Sequence, residues 1–393
     1  MKKSIQLYST LISLIYSSIN FAGIIPIAAR YDGAGGAYGA AFESSVGDYK
    51  FTVGGVTGDA SAFGGLITKN FSKDFELSAG VISFSDISLL TTYERNLAND
   101  EDFQFLLNIN GIAYGLGSKL WLLNDLITLN FSGVQSTIKF DNYQDEFGEE
   151  LELPEANLFD IETLSLKVGL DVNLFDDPRT PNKGIKLSSS INQISGRTGQ
   201  SDQTILDYGA IGILPISNAF SFVAKANFSD AIIDVNKKYD TEEEVRSQLA
   251  ANCTAITDAT AQAKCQKLEN ALVAYILQNN LRGTATPLGG SVGLRSFREQ
   301  RFKATHTAIY IAEFHTSLSQ LFGILKDKET SLNLVLFYDQ GFANDDKLEL
   351  FDESKFSNGA ALQLNKGQGA IKLQVASGSD DTNSWSLSFG KSF

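Results

Sequence analysis

The 393-residue chain has two histidines, one methionine, two tryptophans, two cysteines and six prolines. His306 and His315 stand at odd spacing on one expected strand, so general-base chemistry has little to work with. No GxSxG, HExxH or phosphate-binding glycine loop occurs, which leaves an enzyme no recognisable centre. Nothing calls for a cofactor or a metal. Beyond the amino terminus the chain also lacks any apolar run of roughly 18 residues, which excludes spanning helices. That absence does not exclude a barrel, whose apolar face is hidden in alternation. Basic residues are the minority, 32 against 46 acidic for a net charge of −14, which argues against a nucleic-acid partner. A hydrophobic content of 43% is too high for a disordered chain, and a mean hydropathy of −0.06 is too low for a helical membrane protein.

The start has Lys2 and Lys3 followed by an apolar, hydroxyl-rich stretch to Phe21. Residues 1–22 therefore read as a secretory signal peptide cut after Ala22. In an exported chain the close pair Cys253 and Cys265 reads first as a disulfide and second as a metal site.

From Gly23 onward the pattern is period two. Leu164, Leu166, Val168, Leu170, Val172 and Leu174 fall on one face of a single run, with polar residues and Gly169 between them. Its length suffices to cross a bilayer core at a tilt. Leu332, Leu334, Leu336 and Tyr338 repeat the pattern, leaving Asn333, Val335, Phe337 and Asp339 to face inward. Ile371, Leu373 and Val375 do the same. In 127–140 the apolar face changes parity near Gly133, which predicts a β-bulge there.

Strands are expected near 24–30, 36–46, 49–57, 61–70, 75–85, 110–123, 125–140 and 161–176. Eight more are expected near 184–195, 203–216, 220–231, 305–318, 330–341, 356–365, 369–377 and 384–393. The fold class is all-β, a 16-stranded antiparallel transmembrane barrel over 23–393, the even number that bacterial barrels have. Short turns such as Ser72-Lys73-Asp74 alternate with long polar loops such as Asp141 to Phe159. A Ser-His site on the barrel rim is the enzyme alternative.

One loop, 232–304, departs from the pattern. Its segment 240–280 is rich in Ala, Gln and Glu, and opens with the capping-box spacing Thr241 to Glu244. Leu268, Leu272, Tyr275 and Ile276 have helical spacing. On one continuous helix the two cysteines would stand roughly 18 Å apart, beyond the reach of a disulfide. Either they stay unpaired or the helix turns back between them, near Thr254 to Thr260, to make a hairpin. The same loop ends in Leu288-Gly-Gly-Ser-Val-Gly-Leu-Arg-Ser-Phe-Arg-Glu-Gln-Arg-Phe302. Three arginines and aromatics this close together suit a loop that enters a polar enclosure with carboxylates. A basic surface loop is the plainer alternative.

Leu294-Arg295-Ser296-Phe297 resembles the sixth-loop signature of the BamA/TamA superfamily of outer-membrane barrels, the bacterial surface antigen family. The turn Asp176-Asp-Pro-Arg179-Thr-Pro181-Asn-Lys-Gly184 is similar to that family's turn after the eighth strand. The ending, with Trp385, Phe389, Gly390 and Phe393, looks like a barrel-assembly signal. The resemblance implies localisation in the bacterial outer membrane and a sixth loop tucked into the lumen. Arg295 and Phe297 would be anchored there by Glu313, Asp339 and Gly341. Asp339 faces inward on parity alone, whereas Glu313 shares its parity with Ile309 and Ile311. Ser296 stands where the family has glycine. Too few residues separate Ala22 from the first strand for even one periplasmic POTRA domain, so a barrel-only member is expected. Its partners would be outer-membrane lipid, unfolded outer-membrane protein clients or a partner lipoprotein. Its function would be to assist insertion or passage of proteins or lipids. A passive pore or structural surface protein is the alternative. Pro26 in the first strand removes a ladder donor and suits a weak seam with the last.

Overall fold

The computed structural model describes residues 24–31, 35–58, 61–92, 94–98, 104–145, 149–154, 156, 161–177, 181–195, 201–233, 239–290, 293–324, 330–366 and 369–391. The signal-peptide reading of 1–22 lies outside them. The wall strands are β1 (Ile24–Tyr31), β2 (Gly35–Val46), β3 (Tyr49–Gly58), β4 (Ser61–Ser72), β5 (Phe75–Thr92), β6 (Gln104–Leu122), β7 (Ile127–Gln144) and β8 (Ile161–Asn173). They continue as β9 (Gly184–Ser195), β10 (Gln203–Pro215), β11 (Phe220–Ile233), β12 (His306–Ser317), β13 (Thr330–Asn344), β14 (Lys355–Lys366), β15 (Gly369–Gly378) and β16 (Asn383–Lys391). Each pairs antiparallel with its chain neighbour. A two-residue piece, Glu150–Leu151, extends the ladder on Tyr143 and Gln144.

The sheet curls round without closing. Cα atoms of β1 and β16 come within 8 Å of one another, yet no ladder register joins them among the described residues.

Alternation sorts the wall as the period-two pattern requires. Leu164, Leu166, Val168 and Leu170 on β8 are exposed, as are Leu336 and Tyr338 on β13 and Leu373 and Val375 on β15. A water-soluble sheet would bury this face, so its exposure marks the apolar exterior of a membrane barrel. No helix among the described residues is long and apolar enough to cross a membrane.

Two expectations need correction. β5 and β6 run well past their expected ends at 85 and 110, to Thr92 and back from Gln104. The ladder also passes through Gly133 unbroken, with Leu116 and Leu166 opposite it. The register shift comes higher, where β6 steps from Asn108 to Ile109 and β7 from Asn142 to Phe140. The parity change has another cause. Ile138 and Phe140 point inward together with buried Phe105, Leu107, Ile109 and Tyr143, because helices pack against them there. At this height the apolar face of the wall has swapped from outside to inside.

Those helices are α1 (Glu242–Leu249) and α2 (Ala259–Arg282) of the long loop. Thr241 caps α1 by accepting the Glu244 N–H at 3.3 Å, and Asp258 caps α2 by accepting that of Ala261 at 2.8 Å. Val245, Leu249, Leu268 and Leu272 bury their apolar face on the inner wall. Cys253 and Cys265 are bonded, with Cα atoms 5.7 Å apart, across the turn between the helices. A five-residue helix, α3 (Leu318–Phe322), links β12 to β13.

Candidate functional site

Below the helices the loop re-enters the lumen and returns as a narrow finger. Its base is a two-way backbone bridge between Leu288 and Phe302, each N–H donating to the other's carbonyl at 2.9 Å. Gly289 N donates to Gly293 O and Phe297 N to Leu294 O, both at 2.9 Å, which tightens the tip. Leu294 sits in the left-handed region at φ 61°, an uncommon state for a leucine. It is held there by full burial with Leu288, Phe297, Phe302, Ile309 and Ala343. The Phe297 and Phe302 rings meet edge-on at 4.8 Å.

That turn aims Arg295 at the wall. Its Nε donates to Asp339 Oδ2 at 2.9 Å, its Nη2 to Asp339 Oδ1 at 2.6 Å, and its backbone N–H to Oδ2 at 3.1 Å. Nη1 donates to Glu313 Oε1 at 2.9 Å. The guanidinium also lies 3.6 Å above the Phe337 ring. Arg295 is 9% exposed and Asp339 fully buried, so the paired forks operate where water competes little. Glu313 is further held by His315 Nε2 at 2.9 Å and Lys225 at 3.5 Å. The two carboxylates are thus matched by the Arg295 and Lys225 charges. Ile309 and Ile311 share Glu313's inward face because they pack under the apolar tip of the loop. His306, at the other end of β12, is bonded through Nδ1 to Asp230 Oδ1 at 2.8 Å.

Ser296 makes a close approach to the wall, because the wall carries glycines there. Its N–H donates to Ser357 Oγ at 3.1 Å and its hydroxyl stands 2.7 Å from the same atom. A Cβ on Gly378 would stand 2.2 Å from Ser296 Oγ, and one on Gly341 would stand 2.6 Å from Leu294 Cδ1. Of the other two arginines, Arg301 is buried and reaches Glu94 at 3.7 Å, while Arg298 is exposed.

In the turn between β8 and β9, Asp176 Oδ1 accepts the N–H groups of Asn182 and Lys183, each at 3.0 Å. These donors hold its pKa below the ordinary carboxylate value. Pro181 lies in that turn and Gly184 opens β9 at φ 122°, whereas Arg179 lies outside the described residues. Trp385 is exposed opposite Val375. Phe389 and Gly390 pair with Ile371 and Ala370 in the last ladder, and Phe393 lies outside the described residues.

The structure adds anchors that the sequence reading missed. Arg95, from the β5–β6 loop, donates from Nε and Nη2 to Asp345 at 2.8 and 2.6 Å. It also donates to Asn279 Oδ1 at 2.9 Å and to Gly283 O at 2.7 Å, covering the carboxyl end of α2, where a cation is favoured. Asp345 accepts the Thr305 N–H at 2.9 Å as well. Lower down, Thr286 donates to Asp207 at 2.8 Å, and its N–H donates to Ser229 Oγ at 3.0 Å. Nothing local marks these residues, since Arg95 and Asp345 are 250 positions apart.

The loop fills one side of the lumen. On the other side a cavity of about 640 Å³ remains, lined by small and polar side chains such as Ser78, Asn130, Lys167, Asp171 and Ser188.

No protein-family model matches the chain, and no curated protein matches it in sequence. Solved structures do match. BamA from Haemophilus ducreyi lacking POTRA domains 1–3 superposes with a TM-score of 0.52 at 12% identity, over 93% of this chain and 69% of that one. CdiB from Escherichia coli superposes with a TM-score of 0.55 at 11% identity, over 94% of this chain and 62% of that one. The chain has the fold of these barrels. At such identities the likeness speaks for the architecture, a 16-stranded barrel of the outer-membrane type with a helical insertion in the loop between β11 and β12.

Proposed function

We propose that the protein resides in the bacterial outer membrane and assists the insertion or passage of proteins or lipids there. The observation that carries this is the seam. β1 and β16 lie side by side with no shared ladder among the described residues, and the Arg295 finger reaches β16 from the lumen, where Ser384 Oγ donates to the Arg295 carbonyl. A barrel with an unpaired seam offers strand edges to an incoming strand and an apolar opening to lipid. Arg295, Phe297, Glu313, Asp339 and Gly341 would hold the loop while the seam works. Asp176, Arg179, Pro181 and Gly184 would fix the turn, and the ending through Phe393 would direct assembly. Partners of this kind are unfolded outer-membrane clients, a partner lipoprotein and lipid. The test is an outer-membrane proteome and lipid profile after deletion, compared with a strain whose protein has β1 and β16 joined by an engineered disulfide. Loss of the same barrels or lipids in both supports the reading, and an unchanged profile in both refutes it.

The polar cavity favours a second reading, a passive pore. Single-channel recording separates the two. A large, steady conductance supports the pore, whereas a low conductance supports a lumen blocked by the loop.

A further inference from the structure

The β13–β14 connection, residues 345–354, reads Asp-Asp-Lys-Leu-Glu-Leu-Phe-Asp-Glu-Ser. It leaves the same end of the barrel as the long loop, yet its apolar residues turn to the outside of the wall. Leu350 is 6% exposed and packs on Phe342 and Ala308, with Phe228 beside them. Phe342 shares the outward parity of exposed Leu336 and Tyr338, and Ala308 that of exposed Tyr310. Phe351 meets the Phe342 ring edge-on at 5.1 Å, and Phe342 meets Tyr310 at 5.9 Å. Lys347 Nζ, 2.9 Å from Asp230, ties the connection to the top of β11. Asp346 accepts the Leu348 N–H at 2.9 Å and fixes a short helical turn.

The consequence is an apolar pair directed away from the protein. Leu348 is 93% exposed and Phe351 is 53% exposed, both on an anchored turn. A fixed, nearly fully exposed leucine above a row of outward aromatic rings is out of place in water. We propose that residues 347–351 form a strap lying in the headgroup–acyl boundary of the membrane, with Leu348 and Phe351 entering the outer leaflet. Lipid is the occupant because the patch runs onto the outward face through Tyr310, which is exposed and whose ring meets both Phe342 and Phe228 edge-on. Aromatic rings concentrate at this depth in membrane proteins. The acidic residues Glu349, Asp352 and Glu353 beside the pair are exposed, which keeps the strap at the boundary rather than deeper in the acyl layer. The strap rests on the membrane reading given above and adds a depth and a side to it.

The test uses tryptophan reporters in the refolded full chain, with Trp121→Phe and Trp385→Phe removing the two native indoles. Leu348→Trp reports on the strap and Leu336→Trp on the wall below it. Vesicles of phosphatidylcholine brominated high on the acyl chain supply the quencher, and aqueous iodide supplies the opposite probe. The strap predicts a blue-shifted Leu348→Trp emission, quenched several-fold by brominated lipid and little by iodide. Iodide quenching of Leu348→Trp, with Leu336→Trp still quenched by brominated lipid, overturns the strap and leaves the membrane reading intact. Loss of lipid quenching at both positions overturns both. Shielding of Leu348→Trp from both quenchers, together with dimer-sized particles, assigns the patch to a second copy and also overturns the strap. Phe351→Trp is the second reporter if the leucine variant does not refold.

Discussion

Replacing Arg295 with alanine should detach the finger from the wall. The substitution removes the side-chain donors to Asp339 and the one to Glu313, together with the stack on Phe337. The intact pair need not stabilise much, because taking both charges out of water cancels most of their attraction. Breaking it is costly, since Asp339 is fully buried and Glu313 5% exposed. An unpartnered charge at such a site costs about 3–5 kcal/mol. Lysine should recover only part of this, because it keeps the charge and loses the fork. Asp339→Asn should be milder than Arg295→Ala, since the guanidinium keeps Glu313. Exchanging the charges, Arg295→Asp with Asp339→Arg, should rescue incompletely, because the residue-295 N–H that now donates to Asp339 would face an arginine. Heat-dependent gel mobility reads the stability of the wall, and trypsin cleavage at exposed Arg298 reads release of the finger. If Arg295→Ala and Asp339→Ala each leave the unfolding temperature and the cleavage rate unchanged, the finger is not anchored as argued.

Reducing the Cys253–Cys265 bond should loosen the α1–α2 hairpin by about 3 kcal/mol under the chain-entropy model and leave the unfolding temperature of the wall unchanged, since the wall is held by its own ladder. Intact mass without alkylation by a thiol reagent checks the bond. Arg95→Ala should expose the Gly283 to Thr305 stretch to protease and raise channel conductance. Burial alone would raise the pKa of Asp345, but Arg95 and the Thr305 donors outweigh it and leave the value lowered. A lowered carboxylate contributes stability above its unfolded value, near 3.8, and loses it as pH falls through the folded value. The closed cap should therefore loosen on acidification below that range, and Arg95→Ala should remove most of this acid dependence in the same protease assay. Gly378→Ala should cost about 1–3 kcal/mol by forcing both Ser296 and the Phe356 carbonyl away from the added methyl group, measured by heat-dependent mobility. Deleting Phe393 should lower the amount of barrel in the outer membrane more than it lowers the stability of refolded protein, checked by membrane fractionation.

Much of the wall was legible because its rule is local. In β8, alternate apolar residues from Leu164 to Val172 determine which face meets lipid whatever the rest of the chain does. The same parity placed Asp339 inside, and Thr241 with the leucine spacing of 268 and 272 carried the helices. The two cysteines, twelve residues apart, already required a turn between the helices if they were to bond. Other features depended on what lies across the lumen. Parity could not decide Glu313, because Ile309 and Ile311 are inward only once an apolar finger lies against them. The apolar change at Ile138 looked like a bulge because the helices it meets are about a hundred residues further along. Arg95 gave no signal at all, since a lone arginine in a loop acquires meaning only when chain closure brings Asp345, Asn279 and Thr305 around it. Alternation and capping depend on neighbours a few positions away, so the sequence by itself determined the strands, their faces and the helices. Ion pairs and packing between distant segments depend on how the sheet curls round the loop, so only the tertiary structure decided which charges the loop would meet.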